Sequence, residues 1–240
     1  MNFTNKIIAI IFITLLNYGN AQTQSDFYKD GFKKNESGKY NEAIQQYNKA
    51  LVLDTTNVKT LNSRGIAYYN TADYVSAIQD FSQAIALSPR FFDAYYNRGI
   101  AKGKLGDYDG AILDFDATIS IDSTYLYAYL NRGIAEGDIG LLKEALMDFN
   151  KIAAKNPNFT DIYYNIAIVE DKMGNEKKSI SYFDKAIQLN PNLSDAYLNR
   201  GLAEGHEGDF RNACKDWSKA GEMQEYGAVF ISFNQICVNH

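Results

Sequence analysis

The chain has 240 residues, of which 24 are Lys or Arg, 29 are Asp or Glu and 2 are His, giving a formal charge of −5 with 46% apolar residues. That apolar content is enough for a substantial core, while the acidic balance, with lysines alternating among acids, argues against nucleic acid as a partner because phosphate binding needs a basic stripe. Two histidines and two cysteines supply neither a metal-ligating set nor a nucleophile with its base, so no metal, no cofactor and no enzymatic activity are expected.

Residues 1–21 read as a secretory signal peptide. Lys6 gives the positive start, Ile7 to Leu16 is apolar apart from Thr14, and Gly19 and Ala21 are small residues at the −3 and −1 positions of a cleavage site. The apolar run falls well short of the roughly 20 residues that span a bilayer, so cleavage is expected, with no integral membrane span afterwards. Its removal leaves 23 bases against 29 acids. The expected location is periplasmic or secreted.

Residues 22–223 repeat with a period of 34. Ala43, Ala77, Ala111, Ala145, Ser179 and Ala213 mark it, and four residues after each stands Tyr47, Phe81, Phe115, Phe149, Phe183 or Trp217. Twelve residues before each comes Gly31, Gly65, Gly99, Gly133, Ala167 or Gly201, and between the two small columns lie Gly38, Gly106, Gly140, Gly174 and Gly208. Small residues equidistant from a glycine turn predict two antiparallel helices whose backbones approach closely. Pro89, Pro157 and Pro191 share one position after the second helix, where a residue that cannot continue a helix ends it; Thr55 and Ser123 replace proline in two repeats. The units run approximately 24–57, 58–91, 92–125, 126–159, 160–193 and 194–223. Every glycine has a place in this register, so no phosphate-binding glycine loop is read.

Tyr96-Asn97-Arg98-Gly99-Ile100-Ala101 and Gly106-Asp107-Tyr108-Asp109-Gly110-Ala111-Ile112 closely resemble the tetratricopeptide-repeat family, in its common bacterial version. The resemblance covers Gln24 to about Met223. Thr118, Ile152 and Ser179 depart from its small-residue columns. It implies an all-α, right-handed solenoid of six helix-turn-helix units, and a module that binds a protein or an extended peptide in its concave groove. The alternative it leaves open is a structural or assembly role in a cell-envelope complex through the convex face or the array ends.

Arg64, Arg98, Arg132 and Arg200 precede the small residue of the first helix, and the same four repeats carry Asp80, Asp114, Asp148 and Asp216 sixteen residues later. Repeats one and five lack both. Positions equidistant from the turn lie level across the hairpin, which predicts four ion pairs within repeats. Asn97, Asn131, Asn165 and Asn199, with Ser63 in repeat two, form a column one residue earlier. In the family this position faces the groove, similar to the asparagine ladder of O-GlcNAc transferases, and each amide offers a donor and an acceptor to a peptide backbone. Tyr96 and Tyr164 are expected beside it. Asp93, Asp161 and Asp195 make this surface neutral to acidic, so a clamp for a C-terminal carboxylate is not expected, and a ligand with basic residues fits better.

Residues 224–240 form the C-terminal element. Tyr226 to Val238 reads as a helix capping the last repeat. Cys214 and Cys237 are centred on the turn before it, so they would lie level; an exported chain favours a disulfide. Burial as free thiols is the other reading, because Cys214 takes the place of Ile44, Ile78, Ile112, Leu146 and Ile180 in the other repeats.

Overall fold

The computed structural model describes residues 22–223 and Cys237. The signal peptide and all of the capping segment except Cys237 lie outside the described residues. Among these are twelve helices and no strand: α1 (Gln24–Glu36), α2 (Tyr40–Leu53), α3 (Val58–Asn70), α4 (Tyr74–Leu87), α5 (Phe92–Lys104), α6 (Tyr108–Ile121), α7 (Leu126–Asp138), α8 (Leu142–Lys155), α9 (Thr160–Lys172), α10 (Glu176–Leu189), α11 (Ser194–His206) and α12 (Phe210–Met223). Each 34-residue unit supplies an odd-numbered helix and the even-numbered helix after it, which makes the protein an all-α solenoid of repeated hairpins.

Local chemistry sets these boundaries. Thr23 opens α1 with a reciprocal cap, its hydroxyl accepting from the Asp26 N–H while the Asp26 carboxylate accepts from the Thr23 N–H. Asn57, Asp73 and Asp107 cap α3, α4 and α6 through backbone N–H groups of the first turn. Asp54 and Asp122 each fold back onto the N–H and hydroxyl of the threonine two residues on, fixing the turns between repeats. Within the hairpins Gly38, Gly106, Gly140, Gly174 and Gly208 take positive φ of 73–85°, the left-handed conformation that glycine adopts without penalty. In repeat two the same position is Ala72, at φ 61°.

The chain forms two compact units, divided after Leu105. In the first, α1 pairs with α2 and α3 with α4, while α2 packs on α3 and α4 on α5. In the second, α7–α8, α9–α10 and α11–α12 are the hairpins, joined through α6–α7, α8–α9 and α10–α11. Odd-numbered helices within each unit also touch one another. Gln24 donates to Thr60, and Lys172 donates to the Gly137 carbonyl at 2.9 Å.

The small column at the first helix sits directly beneath the aromatic column. A Cβ on Gly31, Gly65, Gly133 or Gly201 would come within 2.6–2.8 Å of the ring of Tyr47, Phe81, Phe149 or Trp217. Those rings are 0–4% exposed, and burying each stabilises the hairpin by about 1.5–3 kcal/mol. Repeat five carries Ala167 under Phe183 instead, and it replaces the arginine and aspartate by Ile166, fully buried, and Tyr182, which stacks on Tyr163. An apolar pair at this site avoids the desolvation penalty of an ion pair. Thr118 is fully buried too, and its hydroxyl is satisfied by the Asp114 carbonyl at 2.9 Å.

Candidate functional site

The asparagine column lies on the odd-numbered helices. In the first unit Ser63, Tyr96 and Asn97 are half-buried, and Asn97 donates its amide to Asn62 of α3 at 3.1 Å. In the second unit the amide nitrogens turn back onto their own helices: Asn131 donates to the Tyr127 carbonyl at 2.9 Å, Asn165 to the Asp161 carbonyl and Asn199 to the Asp195 carbonyl, both at 2.8 Å. Asn199 also donates to the Tyr164 hydroxyl at 3.1 Å. Each amide of the column thus has a donor engaged within the chain, while the Oδ1 atoms of Asn165 and Asn199 receive no hydrogen bond from the described residues. Asp161 and Asp195, one turn earlier on the same helix faces, are exposed.

Arginine side chains form the second constellation. Arg64 grips Asp80 with Nε and Nη2 at 2.7 and 2.6 Å, Arg132 grips Asp148 at 2.7 and 2.7 Å, and Arg200 grips Asp216 at 2.6 and 2.8 Å. Such forked pairing is the strong form of a carboxylate contact. Arg98 and Asp114 lie on either side of the boundary between the units, and their pairing stays an expectation. Sequence reasoning missed the remaining nitrogen: Nη1 reaches the even-numbered helix of the preceding repeat, with Asn48 accepting from Arg64, Ser82 from Arg98, Asp116 from Arg132 and Asp184 from Arg200. Each of these acceptors stands sixteen residues before its arginine, so a second spacing of sixteen was the available signal. Every arginine of the column thus ties one hairpin to the next, and Arg132 and Arg200 do so with a second carboxylate.

Two further acids crowd these nodes. Glu136 approaches Arg132 at 3.8 Å and is 7% exposed, and its other oxygen, like one oxygen of Glu204, is buried with no partner among the described residues. Burial, reinforced by the charge of Asp148, pushes the Glu136 carboxyl up to about 7, and burial with Asp216 does the same for Glu204.

A notch opens between α7 and α9 on the face that carries Asn165. Ile134 and Ile168 form its sides, Val169 and Phe149 its floor, and Asp138, Asn165 and Lys172 its rim, around a cavity of about 60 Å³. Gly137 leaves this space empty. Its added Cβ would have Val169 as its nearest neighbour, at 3.7 Å, an ordinary contact, whereas Gly133 one turn earlier is locked under Phe149. Packing therefore demands glycine at Gly133 and not at Gly137, where a glycine inside a helix costs about 0.5–1 kcal/mol relative to alanine.

Cys214 and Cys237 are joined by a disulfide, with Cα atoms 5.6 Å apart. Among the described residues no group of His, Cys, Asp or Glu is arranged to hold a metal ion, and no helix is long and apolar enough to cross a membrane.

Hairpins of one length, stacked at a fixed period with a small residue beneath an aromatic ring, define a helical-repeat protein. More narrowly, the chain is built of tetratricopeptide repeats: the family models "TPR repeat" and "Tetratricopeptide repeat" match residues 34–71 and 73–106, and 92–125 and 160–193, respectively. Solved structures agree in fold. PilW, a widely conserved type IV pilus biogenesis factor, is similar at 20% identity with a TM-score of 0.77, over 88% of this chain and 98% of that one. YrrB, a TPR protein with an unusual peptide-binding site, is similar at 22% identity and TM-score 0.66, over 76% of this chain and 94% of that one. A tetratricopeptide repeat protein from Parabacteroides merdae matches at 23% identity and TM-score 0.66, over 90% and 84%. No curated protein matches in sequence. Tetratricopeptide-repeat proteins are generally protein–protein interaction modules, typically non-catalytic, that bind protein or peptide partners.

Proposed function

We propose that this chain is an exported, non-enzymatic binding module that holds an extended segment of a partner protein on the face of its odd-numbered helices. The observation that carries this reading is the pair of acceptor oxygens at Asn165 and Asn199 that no described residue engages, on consecutive odd-numbered helices and each one turn from an exposed aspartate. A peptide backbone offers N–H donors that such acceptors can take, and a preformed face avoids much of the ordering penalty of association. The Cys214–Cys237 bond supports a periplasmic or secreted location, since disulfides persist in oxidising compartments.

A second reading, assembly through the opposite face, draws on exposed apolar side chains of the even-numbered helices. Leu113 and Met147 occupy the same repeat position on α6 and α8 and are 68% and 73% exposed. The test compares partners captured from envelope extract by the wild-type protein and by a variant carrying Asn131→Ala, Asn165→Ala and Asn199→Ala, after circular dichroism shows equal helicity. Partners lost from the variant support the groove reading. Partners retained by it, but lost from Leu113→Lys with Met147→Lys, transfer the function to the opposite face.

A further inference from the structure

The notch beside Asn165 and the acids around it point to a ligand of one kind. Its floor and sides are aliphatic or aromatic, so the occupant of the space is apolar. Its size limits that occupant, because a space of about 60 Å³ is well below the roughly 150 Å³ of a cavity that admits a benzene ring, which leaves a small aliphatic group. The glycine that keeps it open is required by neither the turn nor the aromatic ring, as Gly133 and Gly137 differ in the space around them.

Charge on the same face has one dominant sign. Asp138 stands at the rim, Asp161 one turn from Asn165, and Asp195 one turn from Asn199. Lys172 also lines the notch and keeps its charge while donating to the Gly137 carbonyl at 2.9 Å, so the acidic balance of the face comes from Asp138, Asp161 and Asp195 together. The oxygens of Asn165 and Asn199 add acceptors to this face. A segment laid here meets carboxylates and carbonyl-type oxygens, which favour Lys or Arg side chains and backbone N–H groups and disfavour acidic ones.

We infer that the notch between α7 and α9 is a side-chain subsite for a basic, extended peptide, seating one small aliphatic side chain of about valine size over Gly137 while flanking Lys or Arg residues face Asp138, Asp161 and Asp195. The inference rests on the groove reading and deepens it by naming the ligand's chemistry. It separates two sources of specificity: the cavity reads size, and the aspartates read charge.

Fluorescein-labelled ten-residue peptides of Gly and Ser with a central Arg-Val-Arg, Arg-Trp-Arg or Glu-Val-Glu serve as probes, measured by anisotropy at low salt. The wild-type protein is expected to bind the Arg-Val-Arg peptide at least about tenfold more tightly than either of the others. Gly137→Leu, which fills the notch, is expected to remove the preference for valine over tryptophan and to keep the preference for arginine over glutamate. Asp161→Asn with Asp195→Asn is expected to do the reverse. Gly137→Ala is the variant whose folding is not in question, because it adds one methyl at ordinary contact distance and improves the helix; it is expected to weaken the Arg-Val-Arg peptide and to spare one with Arg-Gly-Arg. Equal binding of all peptides, undetectable binding of the Arg-Val-Arg peptide, or a Gly137→Leu variant that still prefers valine overturns the inference. If envelope partners are nevertheless lost from the asparagine variant, the groove reading stands and only the subsite falls.

Discussion

Arg132 faces Asp148, Asp116 and Glu136, and Arg200 has Asp216, Asp184 and Glu204 around it, so a single guanidinium is set against three carboxyl groups at each node. The forked pairs to Asp148 and Asp216 use the arginine's best geometry, which leaves Glu136 and Glu204 as the groups that gain least from being charged. Their carboxyls are pushed up to about 7 by burial and by the neighbouring aspartates, above the roughly 4.3 of a glutamate in an unfolded chain. The folded state therefore binds more protons between those values, and stability falls as pH rises. The contribution of the protonated carboxyl is complete below the unfolded value and is lost as pH rises through about 7. A variant carrying Glu136→Gln and Glu204→Gln, which keeps shape and removes the charge, should match the wild type near pH 4 and exceed it at pH 8, by on the order of 1 kcal/mol per site. Thermal melts at both pH values read the difference directly. A gap between variant and wild type that does not widen from pH 4 to pH 8 would show that both glutamates bind protons alike in the folded and unfolded chain, so that burial does not raise them.

The turn inside each hairpin is a single backbone state used six times, five times with glycine and once with Ala72. A left-handed residue with a Cβ costs roughly 1–2 kcal/mol, and glycine recovers most of it while giving back some entropy in the unfolded chain. Ala72→Gly should therefore raise the midpoint of chemical denaturation by the equivalent of about 0.5–1 kcal/mol, and Gly140→Ala should lower it by about 1 kcal/mol or more. If Ala72→Gly destabilises, the penalty at that turn is being offset by contacts of the methyl group. Features of this kind were legible in the sequence because they are periodic: the hairpins follow from glycines between small columns, and the grip of Arg64 on Asp80 follows from their equal distance to the turn. What was not legible depends on competition or on empty space. The direction of the Asn165 amide is decided by the Asp161 carbonyl one turn earlier, a backbone group present in any helix and marked by no residue type. The reach of Arg132 to Asp116 depends on which residue the neighbouring hairpin presents, and that column is mixed, with Asn48 and Ser82 in the repeats before it. The notch is a volume left between Ile134 and Ile168, and no spacing rule encodes a volume.

Stability in a stacked array is close to a sum of hairpin terms and nearest-neighbour interfaces, so a constraint placed at one end protects mainly the hairpins next to it. The Cys214–Cys237 bond is such a constraint, tying α12 to a residue 23 positions along the chain. Closing a loop of that length removes unfolded-state entropy worth about 3 kcal/mol. In a protein whose parts fold as one block that amount would appear everywhere. Here it should appear locally. Substitution of both cysteines by serine is expected to raise amide hydrogen exchange in α11 and α12 by a factor of on the order of 10², with a smaller increase in α9 and α10 and little change in α1–α4. The same comparison without substitution, wild-type protein with and without a reducing agent, separates the bond from any effect of the serine hydroxyls, because Cys214 stands where the other repeats place a half-buried Ile or Leu. Uniform acceleration along the whole chain would mean that the array opens as a single cooperative unit. Unchanged exchange in α11 and α12 would mean that packing alone holds the last hairpin, so that the bond secures only the residues beyond it.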